Sequence, residues 1–176
     1  TADTINAQSF PDPVTLSTGQ GSQGSPDPIW KISDWYSSPP NPMTISYGPA
    51  LISNNCAPGA WVDPATLPAP INNGNWISAP GFSCATDTAA GYIFYRLTLD
   101  LPKSCSGNSI AKPGVFKLNF SGYVDNAIAD VFVNGVSKGF SGGSYSAGSQ
   151  INVLLTGPWV PGTNYVDVLV YNITPW

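Results

Sequence analysis

The sequence predicts an all-β sandwich, and three observations predict it. First, Ala or Val recurs at every second position in two segments after residue 122, and this period of two is typical of strands with one face on a core. Second, Asn134-Gly135 lies between strand-like runs, and both central positions of a type I′ hairpin turn favour these residues. Third, all ten acidic residues are Asp, and a chain without Glu is poorly suited to long surface helices. The expected core positions of the two segments are Ala129, Val131, Val133, Val166, Val168 and Val170.

Two further segments of the second half show the same alternation. Residues 92–101 are expected to form one strand, and residues 115–121 another. Several short strands with turn signals between them favour a sandwich. The side chains expected on the core face are Ile93, Tyr95, Leu97, Leu99 and Leu101 in the first strand and Phe116, Leu118 and Phe120 in the second.

The first 90 residues predict long loops rich in Pro and Gly, because most of the 18 prolines lie there and proline lacks the N–H that a central strand needs. Neither an internal repeat nor an interdomain linker is evident, so residues 1–176 are expected to form a single domain. The short strands that fit between the prolines are Val14–Ser17, Trp30–Ser33, Thr44–Tyr47 and Trp76–Ser78.

The composition excludes several function classes. The chain has no His, so it cannot build a Ser-His-Asp or Cys-His nucleophile or a His-ligated metal centre. A net charge of -4 with scattered lysines argues against nucleic acid as a partner, and no apolar run is long enough for membrane insertion. Two Asp side chains could in principle hydrolyse glycosides. Ten Asp residues make close pairs common by chance, so we expect no enzyme activity.

The three cysteines lie in loop-like surroundings. A predicted strand from Gly91 to Leu101 separates Cys84 from Cys105, and its two ends would lie roughly 30 Å apart, which favours a disulfide between Cys56 and Cys84. Cys105 would then be free or paired with another chain. A disulfide indicates an extracytoplasmic setting. The chain starts at Thr1 and carries no signal-peptide pattern, so we expect a processed product or an excised domain.

The order of the strand-like segments resembles that of a known family. The chain carries, in sequence, TGQGSQGSPDPIWKI, NWIS, GYIFYRLTLDLP, DNAIADVFVNG and PGTNYVDVLVYN. This order resembles the galactose-binding-domain-like jelly roll of carbohydrate-binding modules, of sugar-binding domains in β-galactosidase-like enzymes and of many bacterial secreted proteins. The resemblance covers roughly residues 14–172. It implies a jelly-roll β-sandwich whose end loops bind sugars through aromatic residues together with Asn, Asp or Arg.

Five residues are therefore the candidate ligand-binding set. Trp35 and Tyr36 precede a polar, proline-rich stretch, and Trp159 lies in a GPWVPG loop, so each could either stack on a sugar or pack beneath its loop. Asp125 and Asn126 lie between two predicted strands, where they could read sugar hydroxyls or simply form a turn.

Other polar and aromatic residues carry secondary expectations. Trp30 and Trp76 lie within predicted strands and are expected in the core. Asp34 and Arg96 are further polar candidates, although Arg96 is expected to pair with Asp100 or another outward Asp. Family members often hold a structural calcium in their loops, and calcium prefers carboxylate and carbonyl oxygens. The candidate calcium ligands are Asp27, Asp63 and Asp87.

These observations predict a non-catalytic carbohydrate-binding or adhesion module, lectin-like, extracellular or on a cell surface, with a glycan or polysaccharide as partner. Family members usually add a closing strand after the final Asn, whereas this chain stops at Trp176. An open sheet edge could accept a partner strand or support a homo-oligomer. The alternatives are therefore an assembly subunit of a surface fibre or appendage and an accessory domain of a larger glycoside hydrolase.

Overall fold

The structure, a computed structural model, describes residues 16–53, 66, 74–79, 90–101, 116–146 and 148–172. Within these ranges the protein is all-β, with nine strands and one short 3-10 helix, so the predicted class is confirmed. The three cysteines Cys56, Cys84 and Cys105 lie outside the described residues, as do Trp61 and Trp176. The 3-10 helix is Pro42–Thr44. The strands are β1 Pro26–Ile32, β2 Gly48–Ser53, β3 Trp76–Ser78, β4 Gly91–Leu101, β5 Leu118–Gly122, β6 Ala127–Val133, β7 Val136–Ser137, β8 Ile151–Leu155 and β9 Gly162–Asn172.

The strands form two antiparallel sheets. Seven of them make one sheet in the order β3-β2-β1-β4-β9-β6-β7, and β5 pairs with β8 in the other. At the centre of the large sheet, β4 and β9 pair along all eleven residues, from Gly91 opposite Asn172 to Leu101 opposite Gly162. This long central pair fixes which residues meet at each end of the sheet.

Both sheets contribute to one hydrophobic core. The inner face of β4 supplies Ile93 and Leu97, and β8 supplies Leu155, each no more than 2% exposed. Trp30 of β1 lies with its ring centroid 6.3 Å from that of Phe120 in β5, which links the two sheets. The alternation in residues 92–101 and in β9 therefore predicted the core face correctly. Two other residues were predicted to face inward: Leu118 in β5 and Phe116 just before it. Both are partly buried against the same core.

In β6 the predicted alternation is wrong at one position. The register between β6 and β9 shifts between Ile128 and Asp130, which is the signature of a β-bulge. Because of this extra residue, Ile128 joins Val131 and Val133 in the core with 2% exposure, whereas Ala129 is only half-buried. A bulge inserts one residue into a strand, so a strict period of two cannot reveal it.

The predicted strand Thr44–Tyr47 is also wrong. The Asn41 side chain accepts a hydrogen bond from the Met43 backbone N–H at 2.9 Å, and Pro42 occupies the first turn, where proline is tolerated. The chain therefore turns once as a 3-10 helix and reaches β2 four residues later. Leu16 and Ser17, the described part of the predicted strand Val14–Ser17, are not in a strand either.

Residues 33–47, which we call the cover segment, are tied to the outer face of the large sheet. Arg96 of β4 is the anchor: its Nε and one Nη donate to the two carboxylate oxygens of Asp167 at 2.6 and 2.9 Å. The same Nη donates to the Pro42 carbonyl at 2.8 Å. The guanidinium carbon lies 3.9 Å from the centroid of the Tyr47 ring and 4.5 Å from that of Tyr165. The partner is thus an outward Asp, as predicted, but Asp167 rather than Asp100.

The Asn134-Gly135 turn between β6 and β7 forms as predicted, with φ of 50° and 78°. Asn164, fully buried, holds this turn to the loop before β9. Its Oδ1 accepts from the Val160 N–H and the Asn134 Nδ2, and its Nδ2 donates to the carbonyls of Val160 and Gly162, all between 2.8 and 2.9 Å. No helix among the described residues has the length and apolar character needed to cross a membrane.

Candidate ligand-binding site

The candidate site lies where β4 begins, β9 ends and β6 begins, and we call this place the Gly91 end of the sheet. The sheet register aligns the residues there. Gly91 is opposite Asn172, and Tyr92 is opposite Tyr171, which is in turn opposite Ala127 of β6. Residues that flank these positions in sequence are therefore neighbours in space.

Trp35 and Tyr36 reach the Gly91 end because the chain after β1 continues alongside β4. The Tyr36 N–H donates to the Tyr92 carbonyl at 2.9 Å, and the Tyr92 N–H donates to the Tyr36 carbonyl at 2.8 Å. A Cβ atom at Gly91 would lie 2.6 Å from the Tyr36 carbonyl oxygen, so only glycine permits this approach. Trp35 borders the same position and is 36% exposed. Its indole is therefore available to a ligand.

Asp125 and Asn126 lie at the same end of the sheet, just before β6, on the far side of β9 from β4. Extending the β6–β9 register by one residue places Asn126 opposite Asn172, two strand spacings or roughly 10 Å from Gly91. The Asn126 Nδ2 donates to the Asp125 Oδ1 at 2.8 Å, and both side chains are half-buried. Burial and, secondly, the negative charge of Asp125 raise the pKa of Tyr95 in β4.

Trp159 lies at the opposite end of the sheet. It precedes β9, whose eleven residues span roughly 34 Å from Gly162 to Asn172. Its indole is 6% exposed and meets the Phe116 ring edge-on at 5.0 Å between centroids. Of the two roles expected for Trp159, the geometry supports packing beneath the loop. We therefore assign this residue to the core and not to the ligand site.

The sequence did not reveal a row of three tyrosines at the Gly91 end. Directly opposed residues of antiparallel segments share a face, so Tyr36, which pairs with β4 through an isolated bridge, lies beside Tyr92 of β4 and Tyr171 of β9 on the outer face. The rings of Tyr92 and Tyr171 are 4.7 Å apart, tilted by 31°. The alternation in β4 and β9 shows that both tyrosines face outward, but only the pairing register brings them together.

The calcium expectation finds no support among the described residues. Asp27 is buried, and its Oδ1 accepts from the backbone N–H groups of Ile29 and Trp30 at 2.8 and 2.7 Å. Its Oδ2 accepts from the Gly19 N–H. Both oxygens thus cap the irregular start of β1. Asp63 and Asp87 lie outside the described residues, and the described part of the chain contains no group of three or more His, Cys, Asp or Glu side chains suited to a metal ion.

The structure places the two further polar candidates, Asp34 and Arg96, in different parts of the sheet. Asp34 is exposed and immediately precedes Trp35, so it belongs to the Gly91 end. Arg96 lies four residues along β4 from Tyr92 and is occupied by Asp167 and the cover segment. Asp100 accepts a hydrogen bond from Thr163 at 2.7 Å near the opposite end. The Gly91 end therefore combines an exposed indole, a tyrosine row, carboxylates and an amide.

Comparison of the chain with models of protein families, with curated proteins and with solved structures gave no match.

Proposed function

We propose that the protein is a non-catalytic glycan-binding or adhesion module that works outside the cytoplasm, with its ligand bound at the Gly91 end. One observation carries the proposal: exposed Trp35 and the Asp125–Asn126 pair, far apart in sequence, lie at the same end of the sheet, about two strand spacings apart. The indole face would stack on the C–H face of a sugar ring. The carboxylate and amide would read adjacent hydroxyl groups.

The jelly-roll architecture is part of this proposal. Its support is the way that strands distant in sequence interleave, with β9 lying between β4 and β6 while β5 and β8 form a separate sheet over the same core. Crossovers between two packed antiparallel sheets are the hallmark of jelly rolls. The galactose-binding-domain-like resemblance of the sequence adds to that support.

Direct binding measurements test the proposal. Since a single shallow site binds weakly, the protein should be displayed on a tetrameric carrier and applied to an array of mono- and oligosaccharides. Trp35→Ala should abolish the signal, and Asp125→Ala should reduce it. Val136→Ala is the matched control, because Val136 is 49% exposed but lies on β7, toward the other end of the sheet. Absence of any signal from the wild-type tetramer at millimolar sugar would refute the function.

A second candidate function is assembly through strand pairing. In the described part of the chain, β5 and β8 have only each other as neighbours, so each has an unpaired outer edge there. Leu154 of β8 is also 52% exposed. Such an edge can accept a strand from another subunit. Light scattering that shows a monomer at high concentration, together with slow hydrogen exchange along both edges, would count against assembly.

A further inference from the structure

Resting on the proposed function, we infer that the ligand is an uncharged polysaccharide chain that crosses the Gly91 end and continues over the tyrosine row on the outer face. The tyrosine row is thus a second binding surface beside Trp35. The surface consists of Tyr36, Tyr92 and Tyr171.

The tyrosine row has the geometry of a stacking platform. Its three residues lie on β9, on β4 and on the segment that pairs with β4 at Tyr36, each about 4.8 Å from the next, so the row is roughly 10 Å long. All three side chains are half-buried, which means that the sheet holds them while part of each ring stays accessible. Tyr92 and Tyr171 also contact one another. A platform of this length can contact more than one sugar ring of an extended chain.

Trp35 and the tyrosine row are continuous. An atom of the Trp35 ring lies 4.0 Å from the place that a Cβ of Gly91 would occupy, and Tyr36 pairs with Tyr92, the next residue of β4, so both aromatic side chains border Gly91. Gly91 presents no side chain between them. A chain bound on Trp35 can therefore pass over this end and reach Tyr36 and its neighbours, whereas a monosaccharide contacts only one side.

The charges at the Gly91 end favour a neutral chain. The described titratable side chains there, apart from the tyrosines, are Asp34 and Asp125, both acidic. The described cations lie elsewhere. Lys31 is opposite Arg96, four residues or roughly 13 Å along β4 from Tyr92, which exceeds the screening length of about 8 Å in physiological salt. Lys117 precedes β5 and Lys138 donates to the Gly157 carbonyl, both toward the opposite end. A polyuronate would meet two like charges and no cation here.

Affinity electrophoresis with defined polysaccharides tests the inference. The neutral probes are galactomannan, mixed-linkage β-glucan and arabinoxylan, and the acidic probes are alginate and polygalacturonate. At least one neutral probe should retard the wild type, and the acidic probes should not. For the bound polysaccharide, Tyr171→Leu and Tyr36→Leu should each weaken binding about fivefold, since each removes one aromatic contact. Tyr171→Phe should retain binding, because the ring remains.

Chain length provides the decisive comparison. In the wild type, oligosaccharides of the bound polysaccharide should bind more tightly as their length increases from two to eight sugars. This gain in affinity should disappear in Tyr36→Leu. Tyr36 lies outside the strands, so the substitution leaves the core intact. Circular dichroism and thermal melting verify that each variant is folded. If neither these probes nor the sugar array gives a signal with the wild type, the proposed function itself fails and this inference with it. A signal on the array without binding of any polysaccharide leaves the function standing and overturns this inference. If Trp35→Ala abolishes binding but the tyrosine variants and chain length have no effect, or if polyuronates bind equally well, the function stands and this inference is overturned.

Discussion

At the scale of single residues, the end of the sheet opposite Gly91 shows how a buried side-chain amide can take the place of backbone hydrogen bonds between strands. The fully buried side chain of Asn164 makes four hydrogen bonds, and they join the turn after β6 to the loop before β9. Asn134 reciprocates, because its Oδ1 accepts from the Tyr165 N–H at 2.8 Å. Each amide satisfies groups that would otherwise be buried without a partner, and such groups are costly.

Replacing Asn164 with Ala should therefore be strongly destabilising. The change removes the acceptor of the Val160 N–H and one of the two acceptors of the Asn134 Nδ2, which keeps the Pro158 carbonyl, and we expect a loss of about 3 kcal/mol in the free energy of unfolding. Urea denaturation measures this loss. Asn119→Ala is the matched control, since Asn119 is exposed on β5 and should change stability by no more than about 0.5 kcal/mol. Equal effects of the two substitutions would contradict the role given to Asn164.

Trp159 presents the opposite case, because its buried Nε1 has no hydrogen-bond partner within the described residues. Its contribution should come from packing against Phe116 rather than from its N–H group. Trp159→Ala should lower the free energy of unfolding by about 3–5 kcal/mol, whereas Trp159→Phe should cost about 1 kcal/mol or less. Thermal unfolding of both variants provides the comparison. A Phe variant as unstable as the Ala variant would show that the indole nitrogen has a partner.

At the scale of elements, the large sheet is covered on both faces. Phe94 and Leu169 on the outer face are as buried as the inner valines, in contrast to the simple alternation that the sequence indicates. The ion pair of Arg96 with Asp167 and the two tyrosine rings tie the cover segment to this face. A charged anchor lets a proline-rich segment pack closely without regular strand pairing.

Removing the anchor should release the cover segment. Arg96→Met leaves the fully buried Asp167 carboxylate without its counter-ion, and we expect a loss of about 3–5 kcal/mol in the free energy of unfolding. Hydrogen exchange should also quicken at the Thr44 N–H, which bonds to the Asn41 carbonyl at 3.1 Å. Lys31→Met is the control, because Lys31 is the exposed neighbour of Arg96 on β1. An unchanged exchange rate at Thr44 would mean that the segment is held by other contacts.

Gly91 couples the cover segment to the ligand site. Gly91→Ala would place a methyl group against the Tyr36 carbonyl, so the two hydrogen bonds between Tyr36 and Tyr92 should break or lengthen. Both amides should then exchange faster, and glycan binding should weaken because Trp35 moves with Tyr36. Hydrogen exchange by NMR resolves the two amides. Gly122→Ala serves as the control, since no atom lies within 4 Å of a Cβ there. Retention of both slow amides in Gly91→Ala would contradict this coupling.

At the scale of the whole molecule, stability should depend on pH in the alkaline range. Burial above all, with the nearby Asp167 charge, raises the pKa of Tyr47, and burial with the Asp125 charge raises that of Tyr95. Raised values mean that the folded state keeps these protons while the unfolded chain loses them above pH about 10. The contribution of protonated Tyr47 and Tyr95 to the free energy of unfolding is therefore complete below pH about 10 and declines as the pH rises above that value.

Unfolding free energies at pH 8, 9.5 and 11 test this dependence. We expect no marked change between the first two values and a clear fall at the third. Tyr47→Phe should make the fall shallower, because one of the two shifted groups is gone. A wild-type free energy of unfolding that is the same at pH 8 and pH 11 would exclude the proposed linkage.

The sequence predicts the strands, turns and core faces of this molecule better than it predicts the candidate ligand site. The alternation in β4 and β9 identified the core face, and Asn134-Gly135 identified a turn, because both signals are local. The β6 bulge and the 3-10 helix at Pro42 depend on pairing and packing that no local period encodes. The composition of the candidate site also depends on strand pairing that a local sequence pattern does not encode. Trp35 and Asp125 were candidates by residue type, yet their proximity and the distance of Trp159 follow from the register of β9.

The length of β9 has a practical consequence for attaching this protein to surfaces. Its two ends lie roughly 34 Å apart, with the Trp35 site at one and the short strand β7 near the other. A biotin carried at position 136 would orient every molecule on a sensor chip with its aromatic end toward the solution. A biotin at position 34 would turn that end toward the support. The ratio of captured analyte between the two orientations would report which end of the molecule is adhesive, without any change to the aromatic residues.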